Sequence, residues 1–247
     1  KQLTALGKNI HALEVNGSFD DCQALVKQAF SDESLTEKLL LTSANSINVA
    51  RWLPQQIYYV LALKQWLKIH SENPVICVPS GNFGNICAGI LAHHRGLPVE
   101  HFIAACNVND VVPEYLRTEI LQPKETVATI SNAMDVGDPS NFVRILELFD
   151  KEFNQVKNKL SGYTIDDEET LKTIERVEKD YGYVLDPHGA VAFVALEKYL
   201  TENDGKGFFL ETAHPVKFPD SVEQATGKSV EIPKSLEKLM KQEKFTT

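Results

Sequence analysis

The sequence has few cysteines and no long apolar run, and each of these two features excludes some classes of protein. The four cysteines, at positions 22, 77, 87 and 106, form no CxxC pair and have no histidine at metal-ligand spacing. They predict reduced, buried thiols rather than a disulfide framework or a metal centre. No apolar stretch approaches the roughly 20 residues that span a bilayer, and the first residues lack the apolar segment of a secretory signal. We therefore expect a cytoplasmic protein that contacts no membrane.

Positive charge is also scarce. The 34 Asp and Glu residues outnumber the 25 Lys and Arg residues, which gives a formal net charge of −9. The basic residues are scattered rather than clustered, and the sequence therefore argues against nucleic acid as a partner. The chain has 247 residues, of which 43% are hydrophobic and 24% charged. This composition is typical of a globular protein with one large or two small domains.

Apolar runs alternate with helical patterns along the chain. The runs VICVP, VEHFIAAC and GFFLETA, at 75–79, 99–106 and 207–213, are apolar throughout or nearly so, as in parallel strands covered on both faces, and IHALEV at 10–15 is strand-like. Helical patterns occupy residues 19–32, 46–70 with an interruption at Pro54, 85–95, 140–160, 167–181, 188–202 and 233–243. The alternation predicts an α/β fold: a three-layer, mainly parallel sheet flanked by helices. We place a domain boundary near residues 70–74.

The segment VPSGNFGN, residues 78–85, joins the first of these strands to a helix. Gly81 and Gly84 lie where the backbone turns sharply, and the N-terminus of the following helix offers unpaired N–H groups and partial positive charge. Such a turn suits an anion, most often a phosphate. Three polar side chains in the turn add candidate donors: Ser80, Asn82 and Asn85. The spacing is neither GxGxxG nor that of a P-loop. From the spacing alone, a tight strand-to-helix turn that binds no ligand stays an open alternative.

Taken together, seven segments resemble the threonine synthase family, whose members are fold-type-II pyridoxal phosphate (PLP) enzymes. The segments are SFDDCQALVKQAF at 18–30, SANSINVARWLPQ at 43–55, VPSGNFGN at 78–85, HFIAACNVNDVVPEYL at 101–116, SNAMDVGDPSNF at 131–142, LDPHGAVAF at 185–193 and ETAHPVKF at 211–218. The resemblance runs from near residue 7 to near residue 240, and it covers only the C-terminal half, or slightly more, of the family's chain. One departure is TEILQP at 118–123, where family members tend to carry a glycine after the threonine.

The resemblance implies an incomplete fold-type-II, tryptophan synthase β-like enzyme. Residues 1–70 would be the C-terminal part of the small domain, and residues 71–247 part of the large PLP-binding domain. The cofactor would be PLP, with its ring nitrogen against Thr212 and its phosphate held by Ser80, Gly81, Asn82, Phe83, Gly84 and Asn85. The substrate, O-phospho-L-homoserine, would bind through its phosphate to Asn45, Ser46, Asn48 and Arg51. Donors at a helix entry beside a guanidinium suit a phosphate monoester, although without the family they predict a helix cap and a surface arginine.

The resemblance also implies that the Schiff-base lysine lies in an N-terminal segment preceding the matched part. No lysine of this chain has the expected context, and Lys8, Lys27 and Lys38 are interpreted as ordinary solvated lysines. We therefore assign no catalytic residue here and expect the missing N-terminal part of the same protein as a partner. Two histidines in the matching motifs, His188 and His214, are interpreted as structural. Asn107 and Asn109 are interpreted as supports of a loop.

The predicted function is PLP-dependent conversion of O-phospho-L-homoserine and water to L-threonine and phosphate, a lyase reaction of threonine biosynthesis. We expect the chain to be inactive alone. Two alternatives stay open: another fold-type-II PLP lyase, such as a serine or threonine dehydratase, and a non-catalytic module that binds phosphate or PLP. The phosphate donors in SINVAR, at 46–51, favour the synthase. The missing lysine favours the module.

Overall fold

A computed structural model describes residue 4 and residues 9–246 of the chain. Its four strands are β1 (Val75–Pro79), β2 (His101–Cys106), β3 (Leu160–Thr164) and β4 (Gly207–Phe209). The helices are α1 (Phe19–Ser31), α2 (Glu33–Thr36), α3 (Trp52–Trp66), α4 (Gly84–His94), α5 (Val111–Thr118), α6 (Phe142–Leu148), α7 (Phe153–Lys159), α8 (Asp167–Tyr181), α9 (Pro187–Glu202), α10 (Pro219–Thr226) and α11 (Lys234–Met240). Short 3-10 turns occupy Val49–Arg51, Asn132–Met134 and Pro215–Lys217.

The strands form one sheet in the order β3-β2-β1-β4, and every neighbouring pair is parallel. Side chains of β1 alternate between two apolar clusters. Ile76 and Val78 pack into a cluster with α3, α4 and α6, whereas Val75 and Cys77 pack into another with α9. Because successive residues of a strand point to opposite faces, helices cover the sheet on both sides. This confirms the predicted α/β fold.

Several predicted element boundaries are wrong. Residues 10–15 form no strand. The helix predicted from residue 46 begins only at Trp52, after the 3-10 turn, and Pro54 lies in its first turn, where a missing N–H leaves no hydrogen bond unmade. The pattern at 140–160 is two helices, separated where Asp150 and Lys151 adopt positive φ angles of 53° and 61°.

Other elements were not predicted. The strand β3 has the sequence LSGYT, which carries no apolar run, and it is defined by its pairing with β2. The helices α5 and α10 were also missed. The predicted strand at 207–213 ends at Phe209, although the N–H of Leu210 still donates to the carbonyl oxygen of Cys77 at 2.9 Å. The remaining predicted helices and strands are confirmed within a few residues.

The four cysteines are free thiols. Three are buried as predicted, and burial raises the pKa of the Cys87 thiol to about 12, while Cys22 is partly exposed. Among the described residues, no cluster of three or more His, Cys, Asp or Glu side chains is arranged to hold a metal ion. Within the same residues, no helix has both the length and the apolar character needed to cross a bilayer.

The helix α3 is fixed to α4, the helix that follows the glycine loop. Tyr59 is fully buried, and its hydroxyl donates to the carbonyl oxygen of Asn85 at 2.7 Å. The approach requires Gly89, because a Cβ there would lie 2.6 Å from the Tyr59 ring. This packing places the segment before α3, residues 43–51, beside the loop. The assignment of residues 1–70 to a separate domain stays a prediction.

Replacing Tyr59 with Phe should lower the free energy of unfolding by about 1 kcal/mol, because the hydrogen bond from the buried Tyr59 hydroxyl to the Asn85 carbonyl is lost while the ring packing is kept. Urea denaturation followed by circular dichroism measures the change. Tyr58→Phe is the matched control, since the neighbouring Tyr58 is 38% exposed. Equal stability losses in the two variants would contradict the assigned role of the Tyr59 hydroxyl.

Candidate functional site

A cavity of about 240 Å³ opens at the carboxyl end of β1. This is the edge of a parallel sheet at which α/β proteins bind ligands. The cavity brings together loop residues 81–85, two residues before α3, part of the 132–134 turn, the start of α9 and the segment after β4. Outside the loop, its main lining residues are Ser46, Arg51, Ala133, Met134, His188, Thr212 and Lys217.

The glycine loop presents a row of backbone N–H groups. The N–H of Ser80 donates to the carbonyl of Ala105, and that of Ile86 donates to the side chain of Asn85. Between them, the N–H groups of residues 81–85 have no acceptor in the part of the chain that the structure describes. Phe83, with φ of 64°, is left-handed directly before α4, a geometry that turns successive amides inward. These unpaired donors at a helix N-terminus fit a phosphate group.

Two glycines are needed because other backbone and side-chain atoms lie directly on the loop. A Cβ at Gly81 would lie 2.6 Å from Cα of Met134 and 3.2 Å from the carbonyl oxygen of Ala133. A Cβ at Gly84 would lie 2.7 Å from Cβ of Ser46. The loop is therefore clamped between the 132–134 turn and the segment before α3.

Polar side chains of the loop are largely engaged with the protein itself. The Ser80 hydroxyl donates to the Val78 carbonyl at 3.0 Å, and the Asn85 amide donates to the Pro79 carbonyl at 2.7 Å. Ser80 is buried and does not line the cavity. For these two residues, the side chains hold the loop in shape, and their donation to a ligand stays a prediction.

Asn82 connects the loop to two other segments. Its amide group donates to the hydroxyl of Ser46 at 3.0 Å, and its side-chain oxygen accepts from the N–H of Ser140 at 2.8 Å. The side chain of Asn141 donates to the Asn82 carbonyl at 2.9 Å and to the Ser46 hydroxyl at 3.2 Å. Sequence reasoning missed Ser140 and Asn141, although both lie in one of the family segments.

The predicted substrate-phosphate residues divide into two groups. Ser46 and Arg51 line the cavity, and one Nη of Arg51 donates to the carbonyl of Ala44 at 2.6 Å. Asn45 and Asn48 do not line it. The Asn45 side chain accepts from the Ser46 N–H at 2.5 Å, and the Asn48 side chain caps the 3-10 turn by accepting from the Ala50 N–H at 3.0 Å. These two asparagines shape the segment that presents Arg51.

Thr212 lines the same cavity as the loop, as the predicted contact of the ring nitrogen requires. Lys217 also lines it, and sequence reasoning missed this lysine although it lies in the quoted motif at 211–218. The cavity therefore has two cationic side chains, Arg51 and Lys217, and no carboxylate among its described lining residues. This charge balance suits anionic ligands. His214 caps the 3-10 turn that ends at Lys217 by accepting from the Val216 N–H at 3.1 Å, which agrees with its structural interpretation.

Two acidic groups and a histidine lie together at the start of α9. Asp186 is fully buried, and its Oδ1 lies 2.6 Å from Nδ1 of His188. Burial opposes ionisation of Asp186, but hydrogen bonds from His188 outweigh it and hold the pKa of that carboxyl below its ordinary value. The carboxyl end of Glu211 rests against Gly189 while the rest of that residue is exposed. Burial of this carboxyl, and then the neighbouring Asp186, raise the pKa of Glu211 to about 8.

The supports of the 132–134 turn confirm the interpretation of Asn107 and Asn109. The Asn107 amide donates to Ser131 Oγ at 3.1 Å and to Asp135 Oδ1 at 2.8 Å. Asn109 accepts from the Val127 N–H at 2.8 Å. Both asparagines are buried, and their bonds fix the turn that lies against Gly81.

A parallel sheet flanked by helices, with an anion cradle between the first strand and its helix, occurs in several classes of α/β protein, and similarity to known families assigns this chain to the fold-type-II PLP-dependent class. The family model described as "Pyridoxal-phosphate dependent enzyme" matches residues 1–207, and the model "Threonine synthase, C-terminal" matches residues 189–247. The chain belongs to the threonine synthase family.

Relatives agree with this assignment. The chain is 49% identical over 237 residues to threonine synthase of Escherichia coli strain K12. The aligned region covers 96% of this chain and 54% of that protein. The crystal structure of threonine synthase from Escherichia coli aligns with a TM-score of 0.91 and 46% identity, covering 99% of this chain and 56% of that chain. The PLP-bound threonine synthase from Brucella melitensis aligns with a TM-score of 0.87 and 34% identity, covering 100% and 58%. The chain thus spans about half the length of these relatives.

Replacing Gly81 with Ala should weaken PLP binding about tenfold or more, because the added Cβ meets the backbone at Met134 and displaces the loop amides. Isothermal titration calorimetry with PLP measures the loss. Gly96→Ala is the control: Gly96 has φ of 102° with nothing within 4 Å of the position that a Cβ would take, and its replacement introduces backbone strain far from the loop. Wild-type affinity in Gly81→Ala would contradict the proposed cradle.

The pKa of Glu211 predicts a pH-dependent stability. Its folded-state value of about 8 lies above the ordinary 4.5, so the protonated form is favoured by folding. The resulting stabilisation is complete below about pH 4.5 and is lost as the pH rises through about 8. Urea denaturation between pH 5 and 9 should show this decline, on the order of 1 kcal/mol given the partial exposure of Glu211. Glu211→Gln should flatten this decline of the free energy of unfolding with pH. The control Glu243→Gln, at an exposed position, should leave the decline as it is. A decline in Glu211→Gln as steep as that of the wild type would disprove the assignment.

Proposed function

We propose that the chain forms the C-terminal half of a PLP-dependent enzyme that converts O-phospho-L-homoserine and water to L-threonine and inorganic phosphate. The observation that carries the proposal is one cavity with two anion-binding features: the unpaired amides of residues 81–85 and the cations Arg51 and Lys217. A phosphorylated cofactor and a phosphorylated substrate together require two such features. Membership of the threonine synthase family supports the same reaction. The cytoplasmic location stays a prediction.

The loop and Thr212 have the proposed task of orienting the cofactor. PLP, when bound, supplies the electron sink for removing protons from the substrate carbons. The amides of residues 81–85 bind its phosphate, and the hydroxyl of Thr212 contacts its pyridine nitrogen. A hydroxyl, unlike a carboxylate, does not require that nitrogen to stay protonated, and this choice moderates how strongly the ring withdraws electrons.

The proposed task of Arg51 is to hold the substrate phosphate. A guanidinium presents paired donors in a plane, which matches two phosphate oxygens and stabilises the charge that the leaving phosphate carries away. Ser46 keeps the segment against the loop through its contacts with Asn82 and Asn141. Asn48 caps the turn that carries Arg51. A second cation, Lys217, adds to the positive potential of the same cavity.

The Schiff-base lysine is proposed to lie outside this chain, in the N-terminal part of the protein. Of the lysines within the described residues, only Lys217 lines the cavity, and it belongs to the motif after β4 rather than to the family's lysine segment. Lys27 lines a different cavity, and Lys38 is exposed. The position of Lys8 lies outside the described residues. The chain alone is therefore proposed to bind PLP without turning over substrate.

Reconstitution tests this function. The chain is mixed with the N-terminal half of the Escherichia coli threonine synthase, and phosphate release from O-phospho-L-homoserine is measured. We expect release from the mixture and none from the chain alone, because each half lacks groups that the other supplies. The C-terminal half of the Escherichia coli protein serves as the positive control. Activity with that half but not with this chain would contradict the proposal.

The same mixture discriminates the alternatives. A dehydratase would form 2-oxo acids from serine or threonine, and a binding module would bind PLP without turnover of either substrate.

Arg51→Ala should reduce phosphate release at least tenfold, since it removes a charge-assisted contact to the substrate phosphate. Borohydride reduction of the chain with PLP, followed by peptide mass mapping, should leave Lys217 unmodified. A pyridoxyl group on Lys217 would overturn the proposed location of the lysine.

A further inference from the structure

His188 is a buried histidine at the edge of the cavity, with 2% of its surface exposed. Its Nε2 lies 3.2 Å from the backbone nitrogen of Ala133. A backbone N–H can only donate, so Nε2 is the acceptor and carries no proton. The other ring nitrogen, Nδ1, then carries the proton and donates to Oδ1 of Asp186 at 2.6 Å. The contacts on both sides of the ring thus define one neutral tautomer.

Asp186 holds this arrangement in place. Its Oδ1 accepts from the backbone N–H of His188 at 2.9 Å as well as from the ring, which makes it the N-cap of α9. The Phe218 ring packs 4.7 Å from the imidazole, measured between ring centroids. The imidazole is therefore fixed from two directions, and its Nε2 is aimed at Ala133.

Ala133 lies in the turn that shapes the cradle. The backbone of Met134 and Ala133 occupies the space that a side chain at Gly81 would need. A shift of this turn by a few tenths of an ångström would therefore change the room available to the loop, and with it the direction of the amides that face the ligand. The Asn107 and Asp135 bonds support the turn from one side, and His188 supports it from α9.

We propose that His188, fixed in one tautomer by Asp186, is a positioning residue for the cofactor phosphate. By accepting the Ala133 N–H it holds the 132–134 turn against Gly81 and so keeps the amides of residues 81–85 convergent. Its Nε2 is occupied by Ala133, and it acts through that turn. The inference rests on the proposed binding of the cofactor phosphate by this loop.

Dissociation constants for PLP and for pyridoxal, which lacks the phosphate, test this role. His188→Ala should weaken PLP binding about tenfold and leave pyridoxal binding within about twofold, because the loss falls on the phosphate contacts. His188→Gln should restore most of the PLP affinity, since the glutamine oxygen reaches the position of Nε2 and accepts the Ala133 N–H. If His188→Ala does not fold, His188→Asn, whose shorter amide falls short of Ala133, takes its place.

His101 provides the matched control. It is a buried histidine whose Nε2 lies 2.8 Å from Ser161 Oγ. It begins β2, at the amino end of that strand, whereas the cradle lies at the carboxyl end of β1. His101→Ala should lower stability without changing the ratio of the PLP and pyridoxal constants. An equal change of that ratio in the His101 and His188 variants, or no recovery in His188→Gln, would overturn the inference. Equal binding of PLP and pyridoxal by the wild type would instead overturn the proposed role of the loop.

Discussion

The backbone of residues 133 and 134 lies directly on Gly81, and the shape of the cavity depends on this contact. It excludes any side chain at position 81, and it holds the loop so that consecutive amides face one cavity. The turn is itself supported by the buried side chains of Asn107 and His188. The cradle is thus built by several segments far apart in sequence, each of which restrains the next. The proposed phosphate site is thus preorganised by packing between these segments.

The parts of the fold that depend on local sequence were predictable. VICVP is an apolar run, SGNFGN is a turn, and the helix after it has continuous apolar character, so strand, loop and helix were all expected. The strand β3 was not, because LSGYT becomes a strand only through its pairing with β2. Gly162 within it is required by the close backbone of Pro113, a contact that no local pattern reveals. Pairing between distant segments is where the sequence carried least information.

The same distinction applies to the site. The motifs identified the loop, Ser46, Arg51 and Thr212, which the fold brings to one cavity. Asn45, Asn48 and Ser80 do not line that cavity, because short polar side chains near a turn bond first to the nearest backbone groups. The support that His188 gives to the turn through Ala133 could not be predicted from the sequence. Its partner lies 55 residues away in sequence and is a backbone amide, which leaves no trace in side-chain patterns.

The placement of charge explains why a histidine stands between Asp186 and the turn. A carboxylate that accepted the Ala133 N–H directly would place a negative charge beside the proposed site for phosphate. With His188 interposed, Asp186 still orders the turn, but the group that faces the cavity is a neutral ring. Glu211, the second acid of this cluster, has a pKa raised to about 8, which leaves it mostly protonated near neutral pH. Neither acid lines the cavity, whose cationic lining residues are Arg51 and Lys217.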